Sequence, residues 1–248
     1  AIPVLLHFYQ CYYAYVRGKV VSFRLDDPAI GPGERGAAQS MARRYFDLAY
    51  TYAARLQRPT LILMAGLTGT GKSVLAREMA PRLGAAVIQT DALRKELLGI
   101  APTARHDEDF GEGIYSPDVS RRTYEEARLR ALSHLRSGTS VIIDASYKRR
   151  TEREAAIRMA EEAGADYWVV DCVCPEAVVR KRLDARRSAP GEASDGRWEI
   201  YLAQRENFDP ITEVPEAKRL TLDTSVSPDR SAHEVIVATR LQSIGIHR

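Results

Sequence analysis

The chain has 248 residues, of which 45% are hydrophobic and 28% are charged. This is an ordinary globular composition, and the chain is long enough to bury one large core or two small ones. The formal net charge of +3 excludes the strong overall basicity that would by itself require a nucleic-acid or membrane partner. Basic residues therefore have to be judged where they cluster.

The cysteines and the apolar runs favour a cytoplasmic protein without a membrane partner. The three cysteines form neither a Cys-x-x-Cys pair nor a disulfide framework. The longest apolar stretch, residues 2–16, is interrupted by His7 and Gln10, is too short to span a bilayer comfortably, and has no signal-peptide cleavage site after it. The chain begins at Ala1 rather than at methionine, which indicates a piece of a longer protein.

Residues 1–57 are predicted to form a helical hairpin separate from the rest of the chain. Aromatic and aliphatic residues recur at helical spacing up to about residue 24, and "DDPAIGPGERG" then interrupts the pattern with two prolines and three glycines. A second helix is expected from about Ala37 to Leu56.

Residues 58–248 alternate between short β-rich runs and amphipathic stretches. The runs are "TLILMAG", "AAVIQTD", "SVIIDAS", "DYWVVDCVC" and "KRLTLDT". This alternation is typical of a parallel sheet with helices on both faces. The expected fold is an α/β three-layer sandwich with a central parallel five-stranded sheet.

Two helices of this region carry start and stop signals. Ser116 is expected to cap a helix that begins at Pro117 and ends before Gly138. "TERE", from Thr151 to Glu154, fits a capping box of a second helix, which Gly164 closes.

The stretch "GLTGTGKS" follows a predicted strand and opens a predicted helix, and it completes the pattern G-x-x-x-x-G-K-[ST]. Backbone N–H groups of such a loop wrap phosphate oxygens, the lysine reaches the β and γ phosphates, and the serine hydroxyl completes a Mg²⁺ shell. The alternative is a plain glycine turn between strand and helix. The predicted nucleotide-binding residues are Gly66, Leu67, Thr68, Gly69, Thr70, Gly71, Lys72, Ser73 and Val74.

Other residues bear on the fate of the γ phosphate. The guanine-specific N-K-x-D and the L-S-G-G-Q of transporter ATPases are absent. Asp144 ends a predicted strand and is followed by Ala145, where many hydrolytic motors carry a water-activating glutamate. Asp144 is therefore a candidate magnesium ligand beside Ser73, although an aspartate at a strand end can also simply cap a turn.

A candidate acceptor site lies in "TDALRKELLG". Asp91 follows a predicted strand, and Arg94 lies one helical turn further on the same face. Ligands of open α/β sheets bind beyond the carboxyl ends of the strands, so Asp91 is expected beside the bound phosphates. It could accept the proton of an acceptor hydroxyl, while Arg94 holds an anionic group of the acceptor. The alternative is a helix cap and a solvated charge.

Arginines cluster in "PEAVVRKRLDARR", just before the Pro-, Gly- and Ser-containing "SAPGEASDGR". Arg182 and Arg186, four residues apart on one helix face, are candidate catalytic residues that neutralise charge on a transferred phosphoryl group. The region at about residues 180–200 would then serve as a lid. Charge runs of this kind are more often solvated helix faces.

Together, "GLTGTGKS", "TDALRKELLG", "GIYSPDVSRRTYEEA", "VIIDASYKRRTERE" and "RLDARR…SDGR" resemble the bacterial P-loop kinases of the predicted-kinase, zeta-toxin and polynucleotide-kinase-like group, over about residues 58–245. In that group the D-x-x-R aspartate is taken as the acceptor base and lid arginines face the transferred phosphate. The resemblance thus implies such roles for Asp91, Arg94, Arg182 and Arg186.

The front segment "LLHFYQCYYAYVRGKVVSFRL" is similar to the helical end of an aminoglycoside-phosphotransferase-like domain. That resemblance implies a covalently fused upstream domain in the full-length protein. The catalytic H-G-D loop of such a domain is absent, so residues 1–57 are expected to carry no phosphotransfer of their own.

The sequence favours an ATP- and Mg²⁺-dependent kinase that phosphorylates a hydroxyl of a small-molecule acceptor. Two alternatives stay open at this point. One is a polynucleotide kinase that acts on a nucleic-acid 5′-hydroxyl end, and the other is a non-catalytic ATP-binding regulatory module.

Overall fold

The computed structural model describes residues 2–54, 58–101, 113–187 and 197–243. The chain divides into two compact units, Ala1–Arg58 and Pro59–Arg248.

The first unit is a helical hairpin. Helix α1 spans Ile2–Ser22 and is followed by a short 3₁₀ helix, Phe23–Asp26, and helix α2 spans Pro32–Ala54. The second helix thus begins five residues before its predicted start at Ala37. Proline is tolerated as the first residue of a helix, so Pro32 opens α2 instead of breaking the chain there.

Small residues lie buried in this hairpin, and large ones point outward. The buried side chains are Ala14 on α1 and Ala38, Ala42 and Ala49 on α2. At Gly18 an added Cβ atom would lie 2.9 Å from the Phe46 ring, so the two helices approach closely. Large apolar side chains of α1 are more than half exposed; they are Leu5, Leu6, Phe8, Tyr9, Tyr12, Tyr13, Tyr15 and Val20. Within the described ranges no helix has the length and apolar character needed to cross a membrane.

The second unit is an α/β sandwich. Its strands are β1 (Thr60–Ala65), β2 (Ala86–Gln89), β3 (Val141–Asp144), β4 (Asp166–Val173) and β5 (Arg219–Asp223). All pair in parallel, in the order β2-β3-β1-β4-β5. The predicted parallel five-stranded sheet is confirmed.

Helices cover both faces of this sheet. They are α3 (Lys72–Leu83), α4 (Thr90–Leu97), α5 (Pro117–Arg136), α6 (Arg150–Glu162), α7 (Glu176–Arg187), α8 (Trp198–Glu206) and α9 (Pro228–Ser243), with 3₁₀ helices at Gly113–Tyr115 and Glu216–Lys218. Leu61 and Leu63 of β1 pack with α5 and α6, and Ile62 and Met64 pack with α3 and α9. The central strand is apolar and buried from Leu61 to Ala65 because both of its faces are covered.

The helix-start predictions have different outcomes. Helix α5 begins at Pro117 after Ser116, as predicted. The predicted capping box at Thr151 is wrong, because α6 already begins at Arg150. The backbone N–H of Arg150 instead donates to Asp209 Oδ2 at 2.8 Å, so a carboxylate from a distant loop satisfies this helix end.

A buried arginine joins that loop to the start of α6. Arg153 is fully buried and forms an ion pair with Glu213, whose side chain is 4% exposed. Its guanidinium also donates to the backbone carbonyls of Tyr147 at 2.7 Å, Asp209 at 3.0 Å and Pro210 at 3.2 Å. One side chain therefore fixes the loop after β3 against the segment after α8.

Removing this arginine should be strongly destabilising, because Glu213 would keep a buried charge without a partner. We expect Arg153→Ala to lower the free energy of unfolding by roughly 3–5 kcal/mol, measured by urea unfolding. The matched control is Arg150→Ala, whose pair with Glu154 is 53% and 39% exposed, and its loss should be under about 1 kcal/mol. Equal losses in the two variants would contradict this role.

Candidate active site

The glycine loop connects the end of β1 to the start of α3, and its glycines are required by space as well as by conformation. Gly66 has φ +130°, and an added Cβ would lie 2.5 Å from the Cys172 carbonyl oxygen. Gly69 has φ +78°, and an added Cβ would lie 2.8 Å from Val179 Cγ1. Side chains at these positions would collide with β4 and α7, so only glycine lets the loop keep the turn whose backbone N–H groups can bind an anion.

Lys72 folds along this loop. Its Nζ donates to the Leu67 carbonyl oxygen at 2.7 Å, and the Thr70 hydroxyl donates to the same oxygen at 2.8 Å. The Thr224 hydroxyl donates to the Thr70 carbonyl, so the residue that follows β5 supports the far side of the loop. The predicted nucleotide-binding residues thus form one ordered turn at the N-terminus of α3.

Ser73 and Asp144 lie together at the helix end of the loop. The Ser73 hydroxyl hydrogen bonds to the Asp144 carboxylate, and Gln89 Nε2 donates to Asp144 Oδ2 at 3.3 Å. Burial raises the pKa of Asp144, while the Ser73 hydrogen bond and the Lys72 charge lower it less strongly.

This donor pair fits a magnesium ion. A hydroxyl and one carboxylate suit Mg²⁺, which keeps waters and substrate phosphate oxygens as its other ligands. The part of the chain that the structure describes contains no cluster of three His, Cys, Asp or Glu residues that would hold a metal by itself. Phosphate oxygens would therefore have to complete the metal shell.

Asp91 and Arg94 form an ion pair in the first turns of α4. Arg94 Nη1 lies 2.7 Å from Asp91 Oδ1, and the Arg94 side chain is 6% exposed against 39% for Asp91. The guanidinium lies over the Tyr115 ring, 4.6 Å from its centroid. Residue Gln89, not Asp91, is the N-cap of α4, so Asp91 is no helix cap. The buried Arg94 guanidinium therefore holds the more exposed Asp91 carboxylate in place.

Electrostatic contacts connect this pair to the glycine loop. The charge of Asp91 contributes to the raised pKa of Asp144, which places both carboxylates in the same region of the site. The Thr90 hydroxyl also donates to the Asp144 carbonyl at 3.1 Å. The strand ends of β2 and β3 thus bring together the residues that the sequence assigned to the acceptor and to the metal.

Lys148, which the sequence patterns did not single out, lies within electrostatic reach of Arg94. It lies half-buried in the loop between β3 and α6, and burial lowers its pKa to about 8, with the charges of Arg149 and Arg94 adding to the effect. Its backbone carbonyl accepts a 2.8 Å hydrogen bond from Asp209. Its position in the loop that follows β3 was the available signal, since ligands bind beyond the carboxyl ends of strands in open α/β sheets.

Arg182 lies on the other side of the loop. Its Nη2 donates to the Thr224 carbonyl at 2.6 Å, and its Nη1 lies 3.5 Å from Cys174 Sγ. It borders a cavity of about 300 Å³ whose other walls include Gly71, Val74 and Val226. The side chain of Arg186 and residues 188–196 of the predicted lid lie outside the described residues.

Residues 61–211 match the family model described as AAA domain. The chain belongs to this family. Curated relatives include the uncharacterized proteins Mb2027c of Mycobacterium bovis and Rv2004c of Mycobacterium tuberculosis, each 33% identical over 201 residues. These matches cover 80% of this chain and 38% of each relative, so the chain spans well under half the length of the curated relatives that it matches.

Solved kinases share the fold of the second unit. A gluconokinase from Sinorhizobium meliloti 1021 is 18% identical in sequence and superposes with a TM-score of 0.53. The match covers 77% of this chain and 97% of the gluconokinase chain. The Mycobacterium tuberculosis APS kinase CysC, solved with AMPPNP and APS, is 23% identical with a TM-score of 0.53, covering 74% and 98%. A sugar kinase from Janibacter sp. HTCC2649 is 15% identical with a TM-score of 0.56, covering 77% and 99%. The chain has the P-loop kinase fold.

The lowered pKa of Lys148 predicts a pH-dependent stability. Between pH 8 and 10.5 the folded protein binds fewer protons at Lys148 than the unfolded chain does, so the contribution of this group to stability rises with pH in that window. We expect the free energy of unfolding of the wild type, relative to Lys148→Met, to increase from about pH 7 to about pH 10, measured by urea unfolding. Lys181→Met, at an exposed position of α7, should show no such change. Parallel profiles for the two variants would refute the assignment.

Proposed function

We propose that this chain is an ATP- and Mg²⁺-dependent kinase that transfers the γ phosphate to a hydroxyl of a small-molecule acceptor. The observation that carries the proposal is the convergence at one sheet edge of a glycine phosphate loop, the Ser73–Asp144 pair and an Asp91 carboxylate fixed by Arg94. When bound, ATP supplies the phosphoryl group, and Mg²⁺ neutralises charge on its phosphates. The residues of this chain would bind the nucleotide, orient the acceptor hydroxyl and accept its proton.

The nucleotide would lie along the loop and in the cavity beside it. Backbone N–H groups and the Lys72 ammonium bind the phosphates, and Ser73 and Asp144 hold the metal. The cavity of about 300 Å³ offers apolar walls at Val74 and Val226 and a guanidinium at Arg182, which suits a planar base or sugar. Arg182, which lines this cavity, would place its charge beside the nucleotide, and a role of Arg186 at the transferred phosphate stays a prediction.

Asp91 would act as general base toward the acceptor hydroxyl. Arg94 fixes one carboxylate oxygen, Oδ1, and the second oxygen of a carboxylate can accept the hydroxyl proton. Arg94 and Lys148 lie near enough to each other that the charge of Arg94 helps to lower the pKa of Lys148, so both add positive charge around this position. That charge favours an acceptor carrying an anionic group. Arg94 itself is buried as the partner of Asp91, and its direct contact with the acceptor stays a prediction.

The resemblance to the zeta-toxin and polynucleotide-kinase-like group, and to an aminoglycoside-phosphotransferase-like domain upstream, belongs to the same proposal. We assign residues 1–57 to the end of a covalently fused upstream domain and residues 58–248 to the kinase domain. Support comes from the exposed apolar residues of α1 and from the greater length of the curated relatives.

Loss of the loop ammonium should abolish transfer. We expect Lys72→Ala to eliminate phosphoryl transfer and to weaken ATP binding, because this compact charge contacts the β and γ phosphates. The measurement is transfer from γ-labelled ATP to a panel of sugars, aminoglycosides, nucleosides and 5′-hydroxyl oligonucleotides, with Lys19→Ala as the control.

Each result of this panel has a defined meaning. Labelling of oligonucleotides alone would make the chain a polynucleotide kinase. Tight ATP binding without transfer to any acceptor would make it a regulatory module. Unchanged turnover in Lys72→Ala would remove the loop from the mechanism.

Loss of the base should impair chemistry and leave binding intact. We expect Asp91→Asn to lower the transfer rate by roughly 10²–10⁴-fold, the usual effect of removing a general base, with ATP affinity nearly unchanged. The matched control is Asp118→Asn, which alters the same first-turn Asp–Arg arrangement at a 70% exposed position of α5. A wild-type rate in Asp91→Asn together with lost thermal stability would reduce Asp91 to a structural residue.

A further inference from the structure

A side chain from outside the glycine motif holds the phosphate loop. The backbone N–H of Thr68 donates to Gln204 Oε1 at 2.8 Å, across 136 residues of sequence. Gln204 lies on α8, beyond the predicted lid. Neither the glycine motif nor the sequence of α8 predicts this contact.

The same peptide unit is held from its other side. The Leu67 carbonyl accepts hydrogen bonds from Lys72 Nζ at 2.7 Å and from the Thr70 hydroxyl at 2.8 Å. The Leu67–Thr68 peptide therefore has its oxygen bound to Lys72 and its N–H bound to Gln204. A rotation of this peptide would break both contacts, so Gln204 helps to set the position of the Lys72 ammonium.

Helix α8, which carries Gln204, is held in place by side-chain packing. Tyr201 stacks on Trp198 with ring centroids 5.0 Å apart, and the guanidinium of Arg180 lies over the Trp198 ring at 5.4 Å. Tyr201 also belongs to a buried cluster with Val179 and Leu183 of α7, against which Leu67 of the loop packs. Loop, α7 and α8 thus share one small core.

The contact with Thr68 puts Gln204 on the part of the loop that the Lys72 ammonium also contacts, where the distal phosphate of a bound nucleotide is expected. A P-loop lysine reaches the β and γ phosphates, and here its Nζ contacts the very peptide that Gln204 holds. A glutamine amide combines one acceptor oxygen with two N–H donors. The oxygen suits the Thr68 N–H, and the donors suit a phosphate oxygen.

We propose that Gln204 is a positioning residue of the phosphate loop: its amide oxygen fixes the Leu67–Thr68 peptide, and its NH₂ group donates to the distal phosphate of ATP. This inference rests on the proposed kinase function and adds a contact that distinguishes ATP from ADP. Neither glutamate nor methionine can replace both halves of the amide, because one lacks the donors and the other lacks the donors and the acceptor.

Calorimetric titration of the full chain with ATP and with ADP, together with thermal unfolding, tests this proposal. Gln204→Glu keeps the acceptor oxygen, so its melting temperature should match the wild type. Its negative charge and missing donors should raise the Kd for ATP on the order of tenfold or more, and the Kd for ADP clearly less. Gln204→Met should raise both Kd values, because the peptide loses its support. The control is Gln39→Glu, the same substitution at an exposed position of α2.

The outcomes separate this inference from the function on which it rests. A Gln204→Glu protein that keeps the wild-type ratio of ATP to ADP affinity would overturn the donor role. A Gln204→Met protein with wild-type Kd values would overturn the positioning role. A wild-type chain that binds neither nucleotide, while Gln204→Glu melts normally, would overturn the proposed function itself.

Discussion

The parallel register of β1 with its neighbours is the constraint on which the candidate site depends. Met64 pairs with Asp144 of β3, and Ala65 pairs with Asp171 of β4. Because all strands run in the same direction, the loops that follow them emerge at a single edge. The glycine loop, Asp144 and the Asp91–Arg94 pair meet there although they are far apart in sequence.

The electrostatics of the edge follow from unequal burial. Asp144 and Arg94 are almost completely buried, whereas Asp91 and Lys148 are only partly covered. The buried groups are held by fixed partners, Ser73 and Asp91 among them, and so act as a rigid frame. The less buried groups keep part of their charge accessible to solvent. Because the buried charges are paired and only the partly exposed groups remain accessible, the site can be preorganised without an isolated buried charge.

Local patterns predicted much of this molecule, and contacts between distant residues account for what they missed. The phosphate loop, five strands and the start of α5 at Pro117 each depend on neighbours in sequence. The order of the strands, the capping of α6 by Asp209 and the contact of Gln204 with Thr68 depend on side chains that meet only after folding. The burial of Arg94 could not be predicted for the same reason: helical periodicity does not show that the Tyr115 ring covers its guanidinium.

The contact between Gly69 and α7 has a mechanical consequence. Val179 and Leu183 approach so closely that even a methyl group at Gly69 would not fit. Interiors packed to this density transmit displacement instead of absorbing it. A shift of α7 must therefore push the phosphate loop or open a void beside it. A displacement of the helix that carries Arg182 would therefore be transmitted to the glycine loop, and with it to any phosphate bound there.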